Sequence, residues 1–252
     1  MANAVHQTAK QTSLTAEGSS PTYTVDLGIS ANTWDDHVCL DEINAAREAA
    51  GLEHFKKDSS AGLEWPPPTV ESSQHNTAWN PVCEALTAED AEQVGKSVDQ
   101  NGFKSGTYAY MELESATPDC AAAVSHWKDA VNNFTTIPPA NKEQTTIYKT
   151  QQNISFVAMY NPQENAAADC RVVTCTRSAA PQAPGVGALS TDDGKTGYAL
   201  LCMTTPEALT ADAEPFNEDQ WKKIKASITG SASAVAPSLL AVAIAAVGLV
   251  AL

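Results

Sequence analysis

The residue pattern predicts an α+β domain: a central, largely antiparallel sheet covered by helices on both faces, giving a three-layer α/β/α sandwich stapled by disulfides. Three observations carry this expectation. Helix-like stretches precede, separate and follow a few strand-like runs, an order that puts helices on both sides of a sheet. The connections 161–169 and 178–194 suit antiparallel strands better than crossovers, which would need a helix. Six cysteines, Cys39, Cys83, Cys120, Cys170, Cys175 and Cys202, are widely spread, with no Cys-x-x-Cys and no histidine at ligand spacing. That arrangement reads as disulfides rather than a zinc site.

Residues 1–20 are polar and rich in Thr, Ser and Gln, and are expected to be disordered. The folded domain is expected over 21–229. Within 34–54, Val38, Cys39, Ile43, Ala46 and Ala50 fall at helical spacing, and Gly51-Leu52 offers a left-handed stop with an apolar cover. A loop with Pro66-Pro67-Pro68 follows and ends near Pro81. The second helix is expected to start at Thr87, where Thr-Ala-Glu-Asp resembles a capping box, and to run toward Asn101-Gly102. A third helix spans 118–134, capped by Thr117 with Pro118 in its first turn. There Cys120, Val124, Trp127, Val131 and Phe134 recur in steps of four and three, so one face is buried. Strand-like runs rich in Tyr, Val, Phe, Ile or Thr cover 107–112, 153–160, 170–176 and 197–203. The last helix, about 217–228, sets Trp221, Ile224 and Ile228 on one side and three lysines elsewhere.

Cys170 and Cys175 are separated by an odd number of positions. In a regular strand such side chains point to opposite faces, so they are expected to bond different layers rather than each other. Each bridge closing a long loop contributes about 3–4 kcal/mol, comparable with much of a domain's net stability.

Residues 230–252 set the expected location. Ser238 to Leu252 carries no charge, and a run of small residues from Gly230 to Pro237 precedes it. Small residues, a short spacer and an apolar tail form the signal that is exchanged for a glycosylphosphatidylinositol (GPI) anchor. Gly230 and Ser231 are the candidate attachment residues, since each opens a run of small side chains. The alternative is a spanning helix, which usually carries Lys or Arg on its cytoplasmic side. An exported chain also needs a leader, and residues 1–20 have no apolar core of that kind. The leader is therefore expected either to lie outside this sequence or to have been mispredicted in it.

Net charge is −15, from 30 acidic and 15 basic residues, which disfavours nucleic-acid partners. Basic residues cluster at Lys56-Lys57 and at Lys222-Lys223-x-Lys225; a solvated helix face is the plainer reading of the second, and lipid headgroups the other.

The stretch Asp41-Glu-Ile-Asn44-Ala-Ala-Arg47-Glu-Ala-Ala-Gly51-Leu52 resembles the first helix of the CAP superfamily (cysteine-rich secretory proteins, antigen 5, pathogenesis-related proteins), which commonly reads His-Asn-x-x-Arg-x-x-x-Gly-Leu. Val157-Ala-Met-Tyr160, Ala168-Asp169-Cys170 with Cys175, and Tyr198-Ala-Leu-Leu-Cys202 resemble that family's central strands and cysteines. By this resemblance the fold is CAP-like and Cys170 pairs with Cys202. Closer is the surface-antigen (SAG) family of the coccidian parasite Eimeria, carried by Ala123-Val-Ser-His-Trp127-Lys-Asp-Ala-Val-Asn-Asn-Phe134, by Met159-Tyr-Asn-Pro162 with Asp169-Cys170-Arg-Val-Val-Thr-Cys175, by the six cysteines and by the terminal anchor signal. That resemblance implies a GPI-linked, CAP-like domain displayed on invasive stages, with the host-cell surface and antibodies as partners and attachment and immune recognition as its role.

The metal site of the CAP pattern is not carried over. Ile43 stands where the first-helix histidine precedes Asn, and 150–156 holds no second histidine. Such a site needs several converging imidazoles or carboxylates. His6, His37, His54, His75 and His126 are scattered, and no Gly-x-Ser-x-Gly turn, P-loop or dinucleotide fingerprint accompanies them. No catalytic residue, metal or cofactor is expected, and the chain is read as a non-enzyme. Asn133-Phe-Thr and Asn153-Ile-Ser match the N-glycan acceptor pattern. Binding surfaces usually lie on loops held by a rigid frame, which points to 55–81 and 178–194. Trp65 and Trp79 in the first loop could serve as aromatic anchors, core packing being their more common fate. The alternative function is lipid or sterol binding by a CAP-like groove; hydrolysis would require His and Glu to converge in a cleft.

Overall fold

The computed structural model describes residues 22–28, 38–56, 63–70, 74–75, 77–88, 103–142, 144–178 and 194–231. Four antiparallel strands form the sheet, in the order β1 (Thr22–Gly28), β5 (Ala167–Ser178), β6 (Thr196–Thr205), β4 (Thr107–Leu113). A separate two-stranded ribbon joins β2 (Thr69–Val70) to β3 (Gln74–His75). The helices are α1 (Leu40–Ala49), α2 (Asn80–Thr87), α3 (Cys120–Asp129), α4 (Gln151–Met159) and α5 (Glu218–Ser231).

Side chains alternate across a strand, and the sheet uses that to serve two cores. Cys170, Leu200, Cys202 and Ala109 point into one cluster with Ile43 of α1, Trp127 of α3, Phe156 of α4 and Trp221 of α5. Val173, Cys175, Ala199 and Leu201 point into the other, with Trp79, Val82, Cys83 and Leu86. The odd separation of Cys170 and Cys175 has the predicted outcome. Cys170 bonds Cys202, directly opposite on β6, while Cys175 bonds Cys83 on α2 beneath the other face. The third bridge, Cys39–Cys120, joins the start of α1 to the start of α3.

Several elements differ from expectation. The run 153–160, read as a strand, forms α4. From Ser155 to Met159 every side chain is buried, and an apolar run enclosed on all sides has no periodicity to distinguish helix from strand. The second helix ends at Thr87 instead of starting there. Pro81 lies in its first turn, where a missing N–H costs nothing, and the Thr87 hydroxyl donates to Cys83 O at 2.8 Å. The predicted continuation to Asn101 lies outside the described residues. In α3 the cap is Asp119, whose Oδ1 accepts from Ala122 N at 2.9 Å, not Thr117. The strand β1 was not expected, although Tyr23, Val25 and Leu27 alternate with polar residues. Both ends of α1 are tighter than predicted, but Gly51 does adopt φ 71° and closes it. At α5, Asn217 and Gln220 bond each other's backbone N–H at 2.9 Å, a reciprocal cap absent from the prediction.

The free margin of β4 is closed by side chains. Tyr108 O accepts from Gln151 Nε2, and Tyr110 O accepts from Trp127 Nε1, each at 2.9 Å. Tyr110 N donates to Ser155 Oγ at 2.9 Å. The helices α3 and α4 thereby satisfy backbone groups that a further strand would otherwise bind.

Close approach of α2 to the sheet depends on Gly197, the residue opposite Cys175 on β6. A Cβ there would overlap Leu86 O and lie 2.8 Å from Leu86 Cβ. Gly197→Ala is therefore expected to push α2 outward and cost about 1–3 kcal/mol, with incomplete Cys83–Cys175 closure. Thermal melting together with a free-thiol assay checks this; a wild-type melt with no free thiol rules it out.

Candidate functional site

Two concave regions are built around buried or half-buried polar side chains. The first lies where α1 ends. Arg47, one turn before the left-handed Gly51, is 2% exposed. Its Nε donates to Glu53 O at 2.8 Å, and its Nη1 donates to Met159 O at 3.0 Å and Asn161 O at 2.9 Å. The guanidinium carbon sits 3.7 Å from the centre of the Phe55 ring. Burial pushes its pKa down to about 10, opposed by the nearby Glu53, so it remains charged at neutral pH. Asn44, three residues earlier on the same face, accepts from Phe55 N at 2.8 Å. The Asn-x-x-Arg-x-x-x-Gly-Leu pattern therefore does structural work: it ties 53–55 and the end of α4 to α1. Beside Arg47 opens a cleft of about 230 Å³, walled by His54, Lys56, Glu53, Glu164 and Asn165. His54 Nε2 lies 3.3 Å from Glu48 Oε2, and both are exposed. Lys56 donates to Asn165 Oδ1.

The second region is a shallower groove of about 480 Å³ between β1 and the segment 65–68, with Val25, Leu27 and Pro66–Pro68 on its walls and Arg171 at its edge. Trp65 donates from Nε1 to Asp169 Oδ2 at 2.8 Å, and the same oxygen accepts from Arg171 Nε at 3.2 Å. Asp169 is buried, so this aspartate anchors the groove wall to β5.

The residues singled out from sequence fall as follows. All six cysteines are paired. Trp79 is fully buried, donating to Pro66 O at 3.1 Å, and Trp65 stacks on it at 6.3 Å between ring centres. Of the two, only Trp65 retains any exposure for a partner. The loop 179–193 lies outside the described residues. Asn133 is exposed, but Asn153 sits inside α4 at 3% exposure, with its amide bonded to Ile147 O and to Asn133. In the folded domain Asn153 is thus a packing residue, and its expected position at a strand start is corrected. Ile43 is a core residue. His126 is exposed, as expected. Among the described residues no three His, Cys, Asp or Glu side chains cluster closely enough to hold a metal ion. The helix α5 continues through Gly230 to Ser231, beyond the expected 229 boundary, with Gly230 exposed. Residues 1–20 and 232–252 lie outside the described residues, within which no helix is long and apolar enough to cross a membrane.

Arg47 and Asp169 were not singled out as site residues from sequence. The one available signal was a charged residue at a position where its helical neighbours Ile43 and Ala46 face the core.

The sporozoite surface antigen (SAG) protein domain matches residues 35–243. The chain belongs to that family. It is also 30% identical over 217 residues to the sporulated oocyst TA4 antigen of Eimeria tenella, covering 80% of this chain and 81% of that antigen. No solved structure matches. The SAG match spans all three disulfides and the whole of the Arg47 cleft. The resemblance to Eimeria surface antigens drawn from the cysteines and the α3 segment is borne out. Of the fold expected for this SAG antigen, the mixed α/β character, the antiparallel sheet and the three disulfides are present.

Proposed function

We propose that this surface antigen is held on the parasite's outer leaflet by a GPI lipid attached at Gly230 or Ser231, and that it serves host-cell attachment and immune recognition. The family match carries this reading. The apolar composition of 238–252 behind a run of small residues supports the anchor. The sandwich is read as a three-layer, CAP-like frame whose loops 55–81 and 178–194 are the contact surfaces; Asn133 is the accessible glycan acceptor. The work is display, not catalysis. His54 and Glu48 do approach each other at the rim of the first cleft, but both are largely solvated, and the described lining of that cleft holds no Ser, Thr or Cys.

The test is made on intact cells. Phosphatidylinositol-specific phospholipase C is expected to release the native protein. The released domain is expected to bind host cells, and charge reversal within 178–194 to weaken binding without changing its melting temperature. Retention on the membrane after lipase treatment rules out the anchor, and equal binding by the loop variant rules out the contact surface. The groove beside Trp65 favours a second reading, binding of a lipid or sterol, because its walls are mainly apolar and its size is in the ligand range. Co-purification of lipid with the domain would support it.

A further inference from the structure

The cleft beside Arg47 has donors to spare. A guanidinium carries five N–H groups, and three are used on carbonyl oxygens. Both Nη2 hydrogens make no bond among the described residues, although the side chain is 2% exposed and lines the cleft. Among the described residues no carboxylate forms an ion pair with Arg47. The carbonyls at the end of α4 carry partial negative charge and compensate the cation in part. They leave Nη2 unused among the described residues, and its N–H groups can donate to the oxygen of an anion.

The surroundings add to this. Lys56 and His54 stand on the same cleft. A Cβ at Gly51 would lie 3.5 Å from Lys223 Cδ, so a further lysine stem from α5 passes the rim. Glu53 and Glu164 also line the cleft, but both are exposed and can turn to solvent. The rim bends at two left-handed residues, Gly51 at φ 71° and Asn165 at φ 60°. A volume of about 230 Å³ equals roughly seven or eight waters of liquid, enough for a phosphate or carboxylate with part of its hydration. On a chain of net charge −15, Arg47 and Lys56 here balance Glu53 and Glu164, so the cleft is less hostile to an anion than the rest of the acidic surface.

We propose that the cleft at the end of α1 binds a small oxyanion, a phosphate or carboxylate group, on Arg47 Nη2 with Lys56 and His54 closing over it. The inference does not depend on the anchor or on host attachment. The unused Nη2 donors of a buried Arg47 are the feature that such a ligand would complete.

The test is calorimetric titration of the disulfide-bonded full chain at low ionic strength with inorganic phosphate, with acetate, and with vesicles containing phosphatidic acid. Saturable one-to-one binding of phosphate or acetate is expected. Lys56→Gln and His54→Gln, both at exposed positions, are expected to weaken it at least tenfold while melting as wild type. Arg47→Lys, which keeps the charge but loses Nη2, is expected to abolish it. Binding to vesicles alone, lost in the same variants, places the oxyanion on a lipid headgroup and also supports the site. No binding of any probe overturns the proposal, as does binding that Lys56→Gln and His54→Gln leave unchanged.

Discussion

The double variant Cys83→Ala/Cys175→Ala is expected to lose about 4–5 kcal/mol of folding stability in equilibrium denaturant unfolding. The bridge joins residues 92 apart, and restraining a loop of that length removes about that much unfolded-chain entropy. Such a loss is a large fraction of the 5–15 kcal/mol or so that holds a typical domain folded. Its position makes it matter further: α2 is the one helix among the described residues that packs with Val173, Cys175, Ala199 and Leu201. By the same reasoning Cys39–Cys120, with a separation of 81, ranks close behind. Cys170–Cys202 spans 32 residues between strands already hydrogen-bonded to each other, and is expected to contribute about 3–4 kcal/mol. A Cys170→Ala/Cys202→Ala variant less stable than Cys83→Ala/Cys175→Ala would contradict this ranking.

Arg47→Met is expected to cost about 3–5 kcal/mol, since it removes charge-assisted bonds and strands their buried partners. Methionine keeps much of the stem's volume, so the loss is polar, not steric. Three carbonyls lose their donor: Glu53 O, Met159 O and Asn161 O. Lysine in the same place supplies a charge but cannot reach three carbonyls with a planar fork, and is expected to recover only part of the loss. Thermal melting of the two variants checks the order wild type, Arg47→Lys, Arg47→Met. Equal melting of all three would mean that the 53–55 segment is held by Asn44 and Phe55 alone.

The helices legible in the sequence were those with one wet face and one dry face. They were α3, by its stripe through Trp127, and α5, by Trp221 and Ile224 opposite lysines; β5 showed itself by Val172, Val173 and Thr174 and β6 by Tyr198, although both strands are largely buried on both faces. The helix α4 was illegible because it has almost no wet face: Phe156, Val157, Ala158 and Met159 are all at or below 1% exposure. The start of α2 was hidden by Pro81, whose ring is welcome in a first turn but reads as a breaker. The site was less legible than the fold. Nothing in the spacing of Arg47 reveals that its partners are backbone oxygens more than a hundred residues away. Asn153 matched a glycan pattern yet is buried in the folded domain, because a three-residue motif carries no information about solvent access. The cysteine pair on β5 succeeded because odd and even positions are a geometric certainty once a strand is granted.

The plugged margin of β4 bears on crowding. On the proposed lipid anchor, copies of the antigen would share one membrane at high local concentration, and an open row of amides and carbonyls would invite edge-to-edge ribbons. With Gln151, Ser155 and Trp127 occupying that row at Tyr108 and Tyr110, a ribbon finds no open backbone groups there to start from.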